Sequence, residues 1–207
     1  MYYIFGASGF AKEVLWILKE NNIQDEEITF VDYKPQSKTI NNVVVISEEQ
    51  FFALPSDTEK NCIVAVGSPV LKQKIVNKLK QYKNILFPNI FHPNVQYRKD
   101  CVIFGEGNVV CAGSILTTNI QVMDFVHFNL NTTIGHDSII GSYCTFSPAC
   151  NISGNTNIGN RVFFGTNAVI LEQLKVVDDA VIGAGAVVVK DINEAGTYVG
   201  IPAKKRS

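Results

Sequence analysis

The sequence predicts two structural units, an α/β unit with a parallel sheet over residues 1–90 and a three-sided parallel β-prism over residues 91–207. Two observations lead to this fold class. The first 90 residues alternate short β-type segments with helical segments, and this alternation ends near residue 93. From Phe104 onward an apolar residue recurs at every sixth position, which indicates a repeat rather than a layered domain.

The N-terminal unit has the order of elements expected of a βαβ domain. Strands are predicted over 2–5, 28–32 and 62–66, and helices over 10–21, 48–54 and 69–82. Ser47 and Gln50 have the spacing of a capping box at the start of the second helix, and Pro69 suits the first turn of the third. Strands that alternate with helices favour a parallel sheet covered by helices, so this unit is predicted to be Rossmann-like.

The six-residue repeat runs without a break through the C-terminal unit. Its positions are Phe104, Val110, Leu116, Val122, Phe128, Ile134, Ile140, Phe146, Ile152, Ile158, Phe164, Ile170, Val176, Ile182 and Val188. The fourth residue after each is usually small or aliphatic. The residue directly after is often glycine, which we interpret as a corner that requires a positive φ. Three repeats would close one triangular coil, so residues 18 apart should stack, as in an interior ladder of Phe128, Phe146 and Phe164.

Such a prism has open ends and apolar outer positions. We expect the N-terminal unit to cap one end. Apolar residues such as Ile139, Phe163 and Val181 precede the repeat positions and point outward. Because a symmetric partner would cover them, we expect a homotrimer.

Composition excludes several classes of function. The 207 residues include 18 Lys and Arg against 19 Asp and Glu, and this net charge of −1 argues against binding nucleic acid or an anionic membrane. No apolar segment is long enough to cross a bilayer and the N-terminus does not resemble a signal peptide, so we expect a cytoplasmic protein. Five cysteines without a CxxC pair indicate buried thiols rather than disulfides or a zinc site.

The hexapeptide rhythm is similar to that of the left-handed parallel β-helix acyltransferases, and the segment 199–204 resembles their usual ending. Three features together resemble the NeuD/PglD-like family of sialic-acid and bacillosamine-type sugar O- and N-acyltransferases. They are the opening FGASGF, a strand that ends in Val31-Asp32, and Asn129 followed seven residues later by His136-Asp137.

This resemblance implies a left-handed β-helix and an N-acetyltransferase. Such an enzyme moves an acetyl group from acetyl-CoA to the amine of a nucleotide-linked amino sugar, for surface glycan biosynthesis. The N-terminal unit would hold the nucleotide sugar, the β-helix would hold CoA, and catalysis would occur between subunits. The resemblance favours a 4-amino-4,6-dideoxy sugar.

Aminolysis of a thioester requires a group that accepts the proton of the attacking amine. Histidine suits this role because its ordinary pKa lies near neutrality. His136 falls at a predicted outward corner, and Asp137 is expected to orient its imidazole. Asn129 is expected either to hold the sugar or the developing oxyanion, or to be an ordinary corner residue. His127 and His92 are predicted to be structural.

The turn after the first strand is a candidate phosphate site, because backbone amides at a helix N-terminus bind anions. Its spacing is GxxG rather than the GxGxxG of dinucleotide-binding proteins. Asp32 is expected to accept hydrogen bonds from a base or ribose, unless it simply ends a strand. By resemblance, the nucleotide-sugar pocket would comprise Ser8, Gly9, Phe10, Asp32, Tyr33 and Gly67, with Phe10 replacing a frequent His. The corresponding CoA contacts would be Thr145, Thr166 and Ala184.

Three other functions compete with this one. An O-acetyltransferase that acts on a sugar, sialic acid or serine hydroxyl would use the same histidine. A metalloenzyme resembling γ-type carbonic anhydrases needs three histidines around zinc, but His92 lies outside the clear repeats, so no metal is predicted. A non-catalytic binding scaffold would have no need of His136-Asp137.

Overall fold

The computed structural model describes residues 1–55 and 57–206. The N-terminal unit contains β1 (Tyr2–Phe5), α1 (Gly9–Glu20), a 3-10 turn (Asp25–Glu27), β2 (Ile28–Asp32), β3 (Thr39–Ile40), β4 (Val43–Ser47), α2 (Glu48–Phe52), β5 (Lys60–Val64), α3 (Pro69–Leu79) and β6 (Ile85–Leu86). The sequence prediction missed β3, β4 and β6 and placed β5 two residues too late. The predicted capping box is confirmed, since Gln50 N donates to Ser47 Oγ at 3.1 Å and Ser47 N donates to Gln50 Oε1 at 2.8 Å.

These strands form one six-stranded sheet in the order β3-β4-β2-β1-β5-β6. All neighbours are parallel except β3 and β4, which are antiparallel. Successive side chains of a strand point to opposite faces. Ile4 therefore packs on the face that α1 covers, whereas Tyr3 and Phe5 pack on the face that α2 and α3 cover.

The rest of the described chain is a three-sided parallel β-solenoid. Its strands are β7 (Ile90–Phe91), β8 (Val102–Phe104), β9 (Val109–Val110), β10 (Ile115–Leu116), β11 (Ile120–Val122), β12 (His127–Phe128), β13 (Thr133–Ile134), β14 (Ile139–Ile140), β15 (Thr145–Phe146), β16 (Asn151–Ile152), β17 (Asn157–Ile158), β18 (Phe163–Phe164), β19 (Val169–Ile170), β20 (Lys175–Val176), β21 (Ala180–Ile182), β22 (Val187–Val188), β23 (Gly196–Val199) and β24 (Lys204–Lys205).

The strands are arranged in three faces. Face 1 contains β7, β9, β12, β15, β18, β21 and β23, with β24 added antiparallel. Face 2 contains β10, β13, β16, β19 and β22, and face 3 contains β8, β11, β14, β17 and β20. The chain passes from face 1 to face 2 to face 3 in every coil. We call the turn from face 1 to face 2 the 1/2 edge, and the turn from face 2 to face 3 the 2/3 edge.

The predicted stacking at 18 residues is confirmed. Phe128 pairs with Phe146, and Phe146 with Phe164, in parallel register. Their ring centroids lie 5.0 and 4.8 Å apart, and the ring planes are nearly parallel, with interplanar angles of 12° and 14°. From Val110 to Val188 every repeat position is buried, and so are the small residues four positions later, such as Ser138 and Ala168. Two inward side chains per repeat therefore fill the core.

The corners differ from the prediction. Positive φ recurs every six residues, but it falls three positions after the repeat residue, for example at Asn131 (φ 56°) and Asp137 (φ 57°). Asn and Asp tolerate this conformation better than other residues with a Cβ. The glycine directly after a repeat residue serves a different purpose, because a Cβ on Gly141 would lie 2.5 Å from the backbone of Gly159 in the next coil. Close stacking, not positive φ, requires that glycine.

The sequence predicts that the N-terminal unit caps one end of the solenoid. In the structure this unit packs against face 1 instead. The ring of Phe10 lies 5.0 Å from that of His127 on face 1, and Phe87 lies 5.1 Å from Phe125 at the adjoining corner. Aromatic residues of the segment 91–104 close the end of the core instead, with Phe91 5.1 Å from Tyr97. Of the helices described, none has the length and apolar character to cross a membrane.

The close stacking of the coils predicts the effect of adding a methyl group at a repeat glycine. We expect Gly141→Ala to lower the free energy of unfolding by about 1–3 kcal/mol, because the methyl group overlaps backbone that cannot move independently. Gly9→Ala is the matched control, since a Cβ at Gly9 meets no atom within 4 Å. Urea titration at fixed protein concentration measures both. A Gly141→Ala protein as stable as the wild type would contradict the steric explanation.

Candidate active site

His136 and Asp137 form a hydrogen-bonded pair at the 2/3 edge, directly after β13. His136 Nδ1 lies 2.7 Å from Asp137 Oδ2, and Asn119 Nδ2 donates to Asp137 Oδ1 at 3.0 Å. The positive φ of Asp137 brings its side chain back toward the preceding imidazole. The hydrogen bond from His136, and to a lesser extent that from Asn119, holds the pKa of Asp137 below its usual range.

This pairing assigns different roles to the two nitrogens of His136. An ionised carboxylate accepts a hydrogen bond, so Nδ1 carries the proton and Nε2 is left with its lone pair free. The His136 side chain is 63% exposed. Nε2 faces Gly154 one coil further on, where a Cβ would lie only 2.5 Å from it. Gly154 thus leaves room for the imidazole, and the sequence signal for this role is its position 18 residues after His136.

Asn129 lies at the 1/2 edge, one face of the prism away from His136. Its Oδ1 accepts a hydrogen bond from Leu130 N at 2.7 Å, as expected of a corner residue. A single chain therefore does not bring Asn129 together with His136. A role for its amide in catalysis stays a prediction.

Two of the three predicted CoA contacts lie together. Thr166 and Ala184 are exposed at the 1/2 edge in neighbouring coils, and Gly185 N donates to the Thr166 carbonyl at 2.8 Å. Thr145 lies apart from them on face 1. Its hydroxyl is buried and accepts a hydrogen bond from Lys72 Nζ at 3.0 Å. This placement argues against a cofactor contact by the Thr145 side chain, because the N-terminal unit already covers it.

A cleft of about 480 Å³ lies at the carboxyl ends of β1, β2 and β5. Its lining combines apolar side chains with four charged ones: Phe5, Gly6, Val31, Asp32, Tyr33, Glu48, Val66, Leu71, Lys74, Ile75 and Lys78. In open parallel sheets ligands bind where the strand order reverses, which here is between β1 and β5. Gly6 permits the close approach of these strands, since it has φ 117° and a Cβ there would lie 3.0 Å from the Ala65 carbonyl oxygen.

The structure places two of the six predicted nucleotide-sugar residues in the lining of this cleft. Asp32 and Tyr33 line it, and Gly67 directly follows Val66 at its rim. Ser8 and Asp32 also line an adjoining cavity of about 400 Å³, where Gly9 begins α1. Phe10 is the exception, because its ring packs against His127 at face 1.

Sequence reasoning missed the charged wall of the cleft. Lys74 and Lys78 project from α3 and Glu48 from the start of α2. Lys78 and Glu48 form an ion pair between the two helices. The available signal was the spacing of Lys74 and Lys78, because residues four apart lie on the same side of a helix.

The other two histidines, predicted to be structural, are both buried. Burial, and then the neighbouring Lys72, lower the pKa of His127 well below its usual value, and the backbone of Val64 opposes this shift. His92 is buried, accepts a hydrogen bond from Asn94 N at Nδ1 (3.0 Å), and lies 4.5 Å from the ring of Trp16. Within residues 1–55 and 57–206, no three His, Cys, Asp or Glu side chains are placed to hold a metal ion.

Comparisons with known proteins show the family of this chain. Residues 2–79 match the family model of the PglD N-terminal domain. A GDP-perosamine N-acetyltransferase from Escherichia coli O157:H7 is 30% identical over 175 residues, which cover 82% of this chain and 77% of that protein.

Two solved structures are similar over nearly the whole chain. The acetyltransferase domain of PglB from Neisseria gonorrhoeae FA1090, in complex with acetyl coenzyme A, is 29% identical with a TM-score of 0.91, covering 99% of this chain and 98% of that one. PerB from Caulobacter crescentus, in complex with CoA and GDP-perosamine, is 26% identical with a TM-score of 0.90, covering 100% of this chain and 97% of that one.

Proposed function

The chain belongs to the NeuD/PglD-like family of sugar acyltransferases and is itself an acyltransferase, and from this we propose that it transfers an acetyl group from acetyl-CoA to the amine of a nucleotide-linked amino sugar. The observation that carries the proposal is the exposed His136-Asp137 pair at the 2/3 edge, with Nε2 free. The GDP-perosamine named for two of the similar proteins supports this class of acceptor.

In this mechanism His136 is the general base. Nε2 accepts a proton from the amine as the new C–N bond forms at the thioester carbonyl, and it returns a proton to the sulfur as the C–S bond breaks. Asp137 stabilises the imidazolium that exists between these steps and keeps the ring in the correct tautomer. No metal is required, because the thioester is already activated.

The acceptor is proposed to bind in the cleft of the N-terminal unit, residues 1–90, which we propose to be Rossmann-like. The start of α1 at Ser8 and Gly9 offers free backbone amides, and Lys74 adds a positive charge, both of which suit a diphosphate. Asp32 offers acceptor oxygens, and the 74% exposed ring of Tyr33 offers a surface on which a base can stack.

The donor is proposed to bind along the solenoid, residues 91–207, which we propose to be a left-handed β-helix. Thr166 and Ala184 lie at the 1/2 edge and His136 at the 2/3 edge, so a full face of the prism separates them within one chain. A three-fold arrangement would bring the 2/3 edge of one chain to the 1/2 edge of its neighbour. Exposed Ile103 and Ile139 on face 3 are apolar surface for such a contact. We therefore propose a homotrimer with active sites between subunits.

The remaining parts of the proposal concern the substrate and its setting. We propose a 4-amino-4,6-dideoxy sugar as the acceptor and a role in surface glycan biosynthesis. A cytoplasmic location fits these substrates.

The proposed reaction can be tested by measuring thiol release from acetyl-CoA. We expect release with at least one amino sugar from a panel of UDP-, dTDP- and GDP-linked 4-amino sugars, because an unprotonated amine is a better nucleophile than a hydroxyl and needs less help from the base. The same nucleotide sugars with a hydroxyl in place of the amine are the matched controls, together with sialic acid and serine. Release with the hydroxyl acceptors alone would indicate an O-acetyltransferase, and no release with any acceptor would contradict an acetyltransferase.

The proton-transfer role of the pair can be tested by a double-mutant cycle. We expect His136→Ala to lower kcat/KM by about 10²–10⁴-fold, because the base is lost. Asp137→Asn should lower it by about tenfold or more, because an amide can present a donor to Nδ1 and favour the wrong tautomer. In the His136→Ala background, Asp137→Asn should have no further effect. Additive losses would show that Asp137 acts independently of His136.

The location of the site between subunits can be tested by complementation. His136→Ala removes the base, and Ala184→Trp blocks the proposed donor groove, so each variant alone should be inactive. Randomly mixed trimers should recover about a quarter of the wild-type activity, because that share of interfaces joins an intact edge from each chain. If the whole site lay within one chain, mixing the two variants would restore nothing.

A further inference from the structure

Lys72 is a buried lysine that links α3 to the solenoid. Its side chain is fully buried. Nζ donates to the carbonyl oxygen of Cys144 at 2.9 Å and to the hydroxyl of Thr145 at 3.0 Å. Lysine is almost never fully buried unless it is paired, so this position calls for an explanation.

The surroundings of Lys72 favour an uncharged amine. The described ion pairs do not include it. Burial lowers its pKa well below the usual value, and the thiol of Cys144 opposes this only in part. His127, which pairs in register with Thr145, is a second titratable neighbour of Lys72. A neutral amine has two N–H groups, and the structure provides two acceptors.

The other side of α3 lines the cleft proposed for the nucleotide sugar. Leu71, Lys74, Ile75 and Lys78 all face it, with the spacing of one helical stripe. Lys72 leaves the same helix in a different direction, toward β15. Its two hydrogen bonds therefore fix how the helix is rotated and how far it lies from the solenoid. The acceptors at 144 and 145 are half a coil beyond His136.

We propose that Lys72 is a positioning residue for nucleotide-sugar binding. It holds α3, which forms one wall of the cleft, against β15, the strand that begins half a coil after His136. This inference rests on the proposed function, because it assigns Lys72 a role in binding the acceptor at that cleft. Lys72 lines neither the cleft nor the 2/3 edge, so it would affect binding only by fixing the position of α3.

The test compares Lys72→Met with Lys80→Met. Methionine keeps the apolar stem of the side chain and removes the donor. Lys80 caps the end of α3 and forms an ion pair with Glu106 of the solenoid at 2.6 Å, so it spans the same boundary at an exposed position. Exposed ion pairs contribute little, which makes Lys80→Met the matched control.

We expect Lys72→Met to raise KM for the nucleotide sugar by about tenfold, the loss expected for a buried hydrogen-bonded group. KM for acetyl-CoA should change by less than about twofold, because the donor binds elsewhere on the prism, and Lys80→Met should leave both constants within about twofold. A folded Lys72→Met protein with an unchanged KM for the nucleotide sugar would overturn the proposal and leave Lys72 a packing residue.

A second variant covers the case in which Lys72→Met does not fold. Thr145→Val removes one acceptor and keeps Lys72. It should raise KM for the nucleotide sugar by about threefold and leave KM for acetyl-CoA unchanged. A rise in KM for acetyl-CoA alone would overturn the proposal, because it would place Thr145 in the donor site.

Hydrogen exchange separates this inference from the proposed function. The amides of α3 should exchange faster in Lys72→Met than in Lys80→Met, whatever the substrate. If the wild type acetylates no nucleotide sugar, the proposed function fails. The exchange data still show whether Lys72 holds α3 against β15. Equal exchange of α3 in the two variants would overturn the positioning role directly.

Discussion

The parallel register of the solenoid fixes where every side chain of its coils lies. Each residue stacks on the residue 18 positions later, as His127 does on Thr145, and two side chains per repeat turn inward. The position of a residue within the repeat therefore decides whether it lies in the core, on a face or at an edge. The position of His136 within its repeat places it at the 2/3 edge, and the stacking at 18 residues places Gly154 next to it in the following coil. A single inserted residue would rotate every later side chain to another environment.

The docked N-terminal unit determines which outward positions remain available. It covers Val109, His127 and Thr145, which stack in successive coils of face 1. Val181 stacks in the same line two coils after Thr145 and is exposed. An aromatic contact between Phe10 and His127 and the hydrogen bonds of Lys72 hold the N-terminal unit there. The cleft at the ends of β1 and β5 is consequently held at a constant position relative to the coils.

The period predicted the faces, the core and the His136-Asp137 corner from the sequence, because burial repeats with the same spacing as the residues. The prediction of the corner conformation was wrong, because a recurring glycine such as Gly141 gives the same sequence pattern whether a positive φ or the close approach of the next coil requires it. The contacts that cover the side chains of Thr145 and Phe10 were not predicted, for a related reason. An outward side chain carries no local sign of whether solvent or another unit covers it, and docking depends on contacts between residues far apart in sequence.

The three histidines show why the edges, rather than the faces, can support chemistry. A general base must exchange a proton with its substrate, so one nitrogen has to be accessible and unoccupied. His92 has Nδ1 engaged by a backbone amide and its ring is buried, and His127 is enclosed beneath the N-terminal unit. At the edge, the positive φ of Asp137 turns two adjacent side chains toward each other, which a flat strand cannot do because its successive side chains point to opposite sides. The corner thus provides both exposure and a carboxylate partner, and His136 is the histidine that has the two together.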